Sequence, residues 1–234
     1  MTLYYISLGL DYDEYISQEN ELRYDFQLRT RFISNYLSKN IRKIKFKTDN
    51  TFNMLSISLS ESKPISKSLV YSNVLDITLP FNRDKYFEAK ENSNFEFYLN
   101  YFTEGFKIAS EFKKIPLENL MQLIDEFRNN EYKNEWISLK KRFKIEDLEI
   151  VLKSEFTTDF YQVILKISQI STKKILIEDV IIKTDPDEIA FDYLIKSVEI
   201  QDNILIKNKF EKTIIEISKK EALKGKLEII SGNY

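Results

Sequence analysis

The 234-residue chain contains neither histidine nor cysteine. Histidine is the side chain whose unperturbed pKa lies nearest neutrality, and with cysteine it supplies most protein nucleophiles, general bases and transition-metal ligands. The familiar catalytic sites built on these two residues are therefore excluded. No disulfide can form either, so burial of apolar surface must stabilise the fold, which fits a reducing compartment.

Glycine and proline are also scarce, with four of each. Loops that cradle phosphates need several glycines close together, whereas Gly9, Gly105, Gly225 and Gly232 are isolated. This spacing excludes a P-loop or a Rossmann turn. Because there is no Gly/Ser-rich or Pro-rich linker, we expect a compact and continuously ordered chain.

Neither a strong excess of charge nor a long apolar run is present. The 35 basic and 37 acidic residues leave a net charge of −2, and arginine, the best side chain for phosphate and base recognition, is rare. No apolar stretch approaches the roughly 18 residues of a membrane span, and Asp11 interrupts the apolar N-terminus. We expect a soluble, cytoplasmic protein that binds neither nucleic acid nor membranes.

The first half of the chain shows both helical and strand periodicity. Apolar residues predict a long helix over 18–38, and alternation predicts a hairpin over 43–59 with its lysines in solvent. A further strand is expected over 70–79. Ser93 and Glu96 form a capping-box pattern for a helix that reaches Lys113. Pro116 suits the start of a second helix, antiparallel to the first.

Strand periodicity replaces helical periodicity after Tyr132. The expected fold is α+β: an N-terminal sheet with three helices, one long and then an antiparallel pair, followed by an antiparallel β-meander. We place a boundary between an α+β region, 1–132, and a β-rich region, 133–234; one shared core is an equal alternative. The expected C-terminal strands cover 148–153, 161–167, 175–182, 191–200, 204–206, 213–217 and 227–230.

Two short acidic clusters are the candidate functional residues. An EF-hand needs glycine at loop position six and glutamate at position twelve, where a loop beginning at Asp11 has Ile16 and Leu22. In the second cluster, Asp185 and Pro186 suit an ordinary helix start or a turn. We therefore predict no metal site and no cofactor. The clusters comprise Asp11, Tyr12, Asp13 and Glu14, and Asp185, Asp187 and Glu188.

Carboxylate chemistry is the main enzymatic alternative because it needs neither histidine nor cysteine. Glu111 with Lys113 lies at the end of a predicted helix, and Glu149 with Lys153 lacks the spacing of a nuclease motif. Two carboxylates for glycoside hydrolysis need only meet in space, so the sequence leaves a carboxylate-dependent, metal-assisted hydrolase or nuclease open. The lysine runs over 43–47 and 140–144 are best explained as solvated strand faces.

The C-terminal 110 residues carry a resemblance to a known class. The segment from Phe127 to Trp136 and the segment from Lys183 to Phe191 resemble uncharacterised bacterial proteins of Bacteroidetes type. Proteins with sequences of this kind are similar to immunity proteins that neutralise polymorphic toxins. The resemblance implies a cytoplasmic α+β protein that binds a toxin domain stoichiometrically, and it assigns no binding residue.

Our hypothesis is a non-enzymatic protein that forms a tight complex with a protein partner, such as a basic toxin domain. Acidic residues interspersed with tyrosine near the N-terminus suit a basic partner. A scaffold component of a bacterial assembly is a further alternative. The expected partner-binding residues are those of the two acidic clusters: Asp11, Tyr12, Asp13, Glu14, Asp185, Asp187 and Glu188.

Overall fold

The computed structural model describes residues 1–70 and 72–232, with residues 189 and 190 described by their main chain alone. The chain divides into two compact units, which we call the first unit (Met1–Asn134) and the second unit (Glu135–Tyr234). The sequence analysis placed the boundary at residue 132. Residue 71, inside one predicted strand, and residues 233–234, inside the β-rich region, lie outside the described part of the chain.

The first unit is a four-stranded sheet with helices, as the predicted α+β class requires. Its elements are β1 (Tyr5–Leu10), α1 (Tyr12–Tyr15), α2 (Asn20–Ile44), β2 (Met54–Ser60), β3 (Ser66–Val70), β4 (Val74–Pro80), α3 (Arg83–Glu91), α4 (Phe95–Phe112) and α5 (Leu117–Asn129). The strand order is β1-β2-β4-β3. β1, β2 and β4 are parallel, and β3 is antiparallel to β4. The long α2 is the crossover that joins parallel strands β1 and β2.

The two faces of this sheet differ because side chains alternate along each strand. One face is apolar and buried, and α2 packs along it at β1 while α4 packs against β4 and β2. The other face presents mainly serines and other small residues that are partly exposed. The buried face consists of Ile6, Leu8, Leu10, Leu55, Ile57, Leu59, Leu75, Ile77 and Leu79.

The free edge of β1 is closed by polar side chains of α2. The Ser38 hydroxyl accepts from the Ile6 N–H at 2.9 Å and donates to the Ile6 carbonyl at 3.2 Å. Thr30 donates to the Leu8 carbonyl at 2.9 Å, and Arg42 Nε donates to the Tyr4 carbonyl at 2.9 Å. Edge strands expose unpaired main-chain groups that invite pairing with other chains. The α2 side chains remove that possibility at β1.

The predicted hairpin over 43–59 is wrong. Helix α2 continues to Ile44, and Lys45 ends it in the left-handed conformation with φ 55°. Leu37 and Ile41 are buried at helical spacing. The helix continues past them into residues 43 and 44, where the short alternating pattern had predicted a strand. The predicted strand over 54–59 is confirmed as β2, but its neighbour β1 is parallel rather than a hairpin partner.

The region over 70–94 also departs from expectation. The strand predicted over 70–79 is confirmed from Val74 onward, whereas Ser72 and Asn73 have positive φ and precede β4. Helix α3 was not predicted. Helix α4 is capped by Asn94, whose side chain accepts from the Glu96 N–H, because Ser93 adopts φ 51° and cannot act as the cap.

The Glu96 carboxylate, which the capping-box pattern assigned to the start of α4, binds side chains near the end of α5 instead. It accepts from Arg128 Nε at 2.9 Å and from the Tyr132 hydroxyl at 2.9 Å. These bonds tie the start of α4 to the end of α5, which pairs with it. The helix pair predicted from the amphipathic patterns is therefore held by ionic contacts as well as by apolar burial.

The second unit is β-rich, as predicted. Its elements are β5 (Asn134–Phe143, whose first residue belongs to the first unit), β6 (Leu148–Phe156), β7 (Tyr161–Gln169), β8 (Ile175–Thr184), α6 (Glu188–Phe191), β9 (Ser197–Ile200), β10 (Ile204–Lys207), β11 (Thr213–Ile217), α7 (Lys219–Ala222) and β12 (Ile229–Gly232). They form two sheets, β5-β6-β7-β8 and β12-β11-β10-β9. The strand pairs β6–β7, β7–β8, β9–β10, β10–β11 and β11–β12 are antiparallel.

Two details of this unit differ from expectation. Strand β5 includes most of the lysine run over 140–144, which was expected on a strand, but it begins earlier, at Asn134, and the strand expected over 191–200 occupies only its last four residues. A turn that includes Asp202 and Asn203 joins β9 to β10. Within the described residues, the helices lack the length and apolar character that crossing a membrane requires.

Gly105 of α4 provides a test of the packing between helix and sheet. A Cβ built on Gly105 would lie 2.5 Å from Cδ1 and 2.6 Å from Cγ1 of the fully buried Ile57. We expect Gly105→Ala to destabilise the protein by about 1–3 kcal/mol, in the range of other overpacking substitutions. Urea unfolding at pH 7 measures this change.

Gly9→Ala is the matched control, because a Cβ on Gly9 meets no atom of the described residues within 4 Å. We expect that variant to be as stable as the wild type or about 0.5–1 kcal/mol more stable, since glycine weakens a strand relative to alanine. Equal effects of the two substitutions would contradict the packing described here.

Candidate functional site at the carboxyl edge of the first sheet

The three parallel strands of the first unit end at the same edge of the sheet. β1 ends at Leu10, β2 at Ser60 and β4 at Pro80, and each is followed by charged or polar residues. Open sheets of parallel strands characteristically bind ligands beyond the carboxyl ends of their strands. The first acidic cluster, Asp11 to Glu14, lies directly after β1 at this edge.

Asp11 is held by two different contacts. Its Oδ1 accepts from the Glu14 N–H at 3.0 Å, so Asp11 is the N-cap of α1. Both of its carboxylate oxygens also accept from Lys63 Nζ at 2.7 Å. The hydrogen bond to Asp11 raises the pKa of Lys63 above its ordinary value. Asp11 therefore positions α1 against the loop that follows β2.

Glu14 makes a second connection to the same loop. Its carboxylate accepts from the Ser60 hydroxyl and, at 3.2 Å, from the Glu61 N–H. Ser60 is fully buried, so this contact is shielded from solvent on one side. Asp11 and Glu14 together fix α1 at both of its ends.

Arg83, at the start of α3, joins two carboxylates from other elements. It forms a bidentate pair with Glu19 at 2.7 and 2.6 Å and also donates to both oxygens of Glu61. Hydrogen bonds from Arg83 lower the pKa of Glu19, and those to Glu19 and Glu61 raise the pKa of Arg83. Bidentate guanidinium pairs of this kind fix relative geometry as well as charge.

Tyr15 completes this arrangement. Its hydroxyl donates to Glu61 at 3.0 Å, and burial followed by this hydrogen bond raises the pKa of Tyr15. We call the bonded set the carboxyl-edge network. Its members are Asp11, Glu14, Tyr15, Glu19, Ser60, Glu61, Lys63 and Arg83. Four carboxylates and two cations give the network a formal charge of −2.

Tyr12 and Asp13 are the residues of the first acidic cluster that face solvent. The side chain of Tyr12 is 61% exposed, and Asp13 is also exposed. The Arg23 guanidinium lies 5.3 Å from the centre of the Tyr12 ring. Beside the network is an open cleft of about 490 Å³ lined by residues 17–22, Arg83 and the exposed Phe87. The rim of the network therefore offers aromatic and acidic groups to a partner.

The second acidic cluster lies in the second unit. Asp185 is exposed, while Asp187 and Glu188 are half-buried. Of the two forms expected at Asp185 and Pro186, a helix start or a turn, the structure has the turn. Helix α6 begins at Glu188, and the Asp187 N–H donates to the Asp185 carbonyl at 2.8 Å.

The tyrosines that are close in sequence do not form one surface. Tyr4 and Tyr5 lie at the amino end of β1, whereas Tyr12 follows its carboxyl end. Six strand residues separate these positions by roughly 20 Å at about 3.3 Å per residue. Tyr15 is buried. Of these four tyrosines, Tyr12 is the one exposed at this edge.

Sequence reasoning missed Glu19, Glu61 and Arg83. Each lies on a separate element, and only the parallel order of β1, β2 and β4 brings them together. The available signal was that a polar residue stands within two positions of the end of each of these strands. Using it requires knowing that the strands are parallel, which alternation alone does not reveal.

Residues considered for carboxylate chemistry are engaged in ion pairs. Glu111 lies 3.7 Å from Lys67, Lys113 pairs with Asp49 at 2.7 Å, and Glu149 pairs with Lys140 at 3.2 Å and with Arg142. In residues 1–70 and 72–232, no three acidic side chains are arranged to hold a metal ion. The lysine run over 140–144 thus has ionic partners on its own sheet.

The depressed pKa of Glu19 predicts a pH effect on stability. A carboxylate with a lowered pKa in the folded state stabilises the protein above its unfolded pKa, near 4.5, and loses that contribution as pH falls through the folded value. We expect Glu19→Gln to be less stable than the wild type at pH 7 and the difference to narrow below about pH 4.5. Urea unfolding at pH 7, 5, 4 and 3 measures it.

Glu21→Gln is the control, because Glu21 is an exposed acid of the same helix and outside the network. Its stability relative to the wild type should vary little over this range. A constant difference between Glu19→Gln and the wild type at all four pH values would show that the pair with Arg83 has no linkage to folding.

Comparisons of the chain with protein-family models, with curated proteins and with solved structures each gave no match.

Proposed function

We propose that this protein works by binding a basic protein partner through the rim of the carboxyl-edge network. The observation that carries this proposal is the exposure of Tyr12 and Asp13 on a short helix whose two ends are fixed by Asp11 and Glu14. A four-residue helix would not be stable alone. Its attachment to the network holds the two exposed side chains in one arrangement.

Preorganisation of this kind favours tight binding. Ordering a flexible segment on association costs free energy, and a surface fixed before binding avoids that cost. Tyrosine is enriched among the residues that dominate interface energetics because it buries a large area with few rotatable bonds. Tyr12 is therefore the proposed aromatic anchor.

The charge of the rim indicates the kind of partner. The network has a formal charge of −2, and Asp13 adds a further exposed carboxylate. Complementary charge speeds association and disfavours partners of the same sign. A basic protein domain fits this surface, whereas a polyanion such as a nucleic acid does not.

Immunity against a bacterial toxin is the specific form that we propose. An immunity protein acts by occupying a surface of its toxin, and many toxin domains that attack nucleic acids must themselves be basic to hold that substrate. The resemblance of the C-terminal region to immunity-like bacterial proteins points the same way. On this proposal the protein acts stoichiometrically in the cytoplasm and performs no catalysis.

The network also favours binding over catalysis. Each of its carboxylates accepts a hydrogen bond from a cation, a hydroxyl or a main-chain N–H of the same chain. Catalytic acids are typically left with a perturbed proton affinity suited to transfer near neutral pH. At Glu19 the pKa moves downward, away from that range.

The proposal is tested by isolating the protein with its partner from the native host. We expect a complex of fixed stoichiometry with a basic protein, and an affinity lowered about 30-fold or more in Tyr12→Ala/Asp13→Lys, because loss of one aromatic anchor alone costs about 2 kcal/mol. Isothermal titration calorimetry with the purified partner measures the affinity.

Tyr4→Ala/Asp202→Lys is the matched control. It makes the same two chemical changes at exposed positions outside the carboxyl-edge network, at Tyr4 just before β1 and at Asp202 in the turn before β10. Its affinity should equal that of the wild type. Recovery of a partner-free protein, or equal loss of affinity in both double variants, would contradict the proposal.

A further inference from the structure

The face of the first sheet opposite α2 and α4 carries two rows of small polar residues. The strand register aligns Ser7, Ser56, Asp76 and Ser68 in one row, and Gly9, Ser58, Thr78 and Ser66 in the next. Thr78 is buried, whereas the others are partly or fully exposed. We call these two rows the serine face.

Gly9 is the fifth of the six residues of β1, and no contact within the described part of the chain requires a glycine there. Glycine weakens a strand interior by about 0.5–1 kcal/mol relative to alanine. It is usually required by a positive φ or by a neighbour that a side chain would strike. Gly225 is the glycine with positive φ in the described residues, and a Cβ on Gly9 meets none of their atoms within 4 Å.

The packing of α2 does not explain this glycine either. Leu8 and Leu10, which flank it in the alternation, face the buried side, so Gly9 faces away from the helices. The hydrogen bonds from Ser38 and Thr30 of α2 to β1 go to main-chain groups of Ile6 and Leu8 and not to Gly9. Glycine within a strand often marks a place where a ligand or another backbone approaches closely.

Asp76 supplies the charge of the serine face. Its Oδ1 accepts from the Ser58 hydroxyl at 2.8 Å. Among the residues that the structure describes, no lysine or arginine forms an ion pair with Asp76. The half-exposed carboxylate is surrounded by hydroxyls, which supply further donors and acceptors but no positive charge. A cation on an approaching molecule would complement it.

We propose that the serine face is a docking surface for an extended segment of a basic protein partner, with the main chain of that segment over Gly9 and a lysine or arginine paired with Asp76. This inference rests on the proposed function and extends its contact surface. Gly9 lies two residues before Asp11, about 7 Å along the strand, so the serine face is continuous with the carboxyl-edge network.

The small side chains explain why an extended segment suits this surface. Serine and glycine allow the partner's main chain to lie near the sheet, and the hydroxyls of Ser7, Ser56 and Ser58 can donate to its carbonyls or accept from its N–H groups. Larger residues in these rows would hold the partner at a distance. The proposal therefore predicts that added volume at Gly9 blocks binding without harming the fold.

A defined probe tests this inference independently of the native partner. The probe is a ten-residue peptide of alternating lysine and threonine, titrated into the isotopically labelled full chain at low salt and followed by NMR. We expect shifts of main-chain amides over 7–9, 56–58 and 76–78. Gly9→Val should lower the peptide affinity at least tenfold with an unchanged or higher melting temperature, because valine favours strands.

Two further variants complete the design. Asp76→Asn keeps the shape of the side chain but removes its charge, so it should weaken binding about threefold to tenfold and reduce the dependence on salt. Thr213→Val introduces the same valine at an exposed strand residue of the second unit and should bind as the wild type does. Peptide shifts confined to residues 11–14, or equal affinity in Gly9→Val and the wild type, would overturn the inference.

The outcome separates this inference from the proposed function. If the Tyr12→Ala/Asp13→Lys variant no longer binds the native partner while the Gly9→Val variant still does, the partner binds the rim and not the serine face. A wild-type mass equal to a dimer that becomes monomeric in Gly9→Val would show that a second copy covers the face, which also overturns it.

Discussion

The architecture of the first unit depends on how the main chain of β1 is satisfied at the edge of its sheet. Peptide groups that point away from β2 have no strand partner, and α2 supplies hydroxyls and a guanidinium instead. This fixes the position of α2 along β1. With α2 in place, Glu19 lies where α2 begins, within reach of Arg83. The polar contacts of one strand edge thus determine where the charged network assembles.

The sequence predicted the parts of the fold that depend on neighbouring residues. Alternation located β2, β6, β7 and β8, and helical spacing located α4 and α5, so the α+β class followed. It did not predict that β1 and β2 are parallel, because alternation is the same in either direction. Helix α3 was missed because its nine residues are mostly polar and bury little beyond Tyr86 and Ala89.

In the candidate site too, the sequence revealed what depends on neighbouring residues and did not reveal what depends on distant contacts. The cluster from Asp11 to Glu14 could be found because its members are consecutive, yet its internal roles could not. Whether an acid caps a helix or faces solvent depends on Lys63 and Ser60, about fifty residues away. Likewise, Ser93 fits a capping box by pattern, but its backbone conformation passes that role to Asn94. Distant contacts decide which of several chemically similar residues remain available to a partner.

The opposite edge of the first sheet has a consequence for the behaviour of the isolated protein. All five residues of β3 are exposed, and in the described part of the chain no further strand lies beyond it. The register between β3 and β4 is regular, without a bulge to twist the edge away. Lys67 is the one charged side chain on this strand, so resistance to aggregation in concentrated solution depends on a single ammonium group.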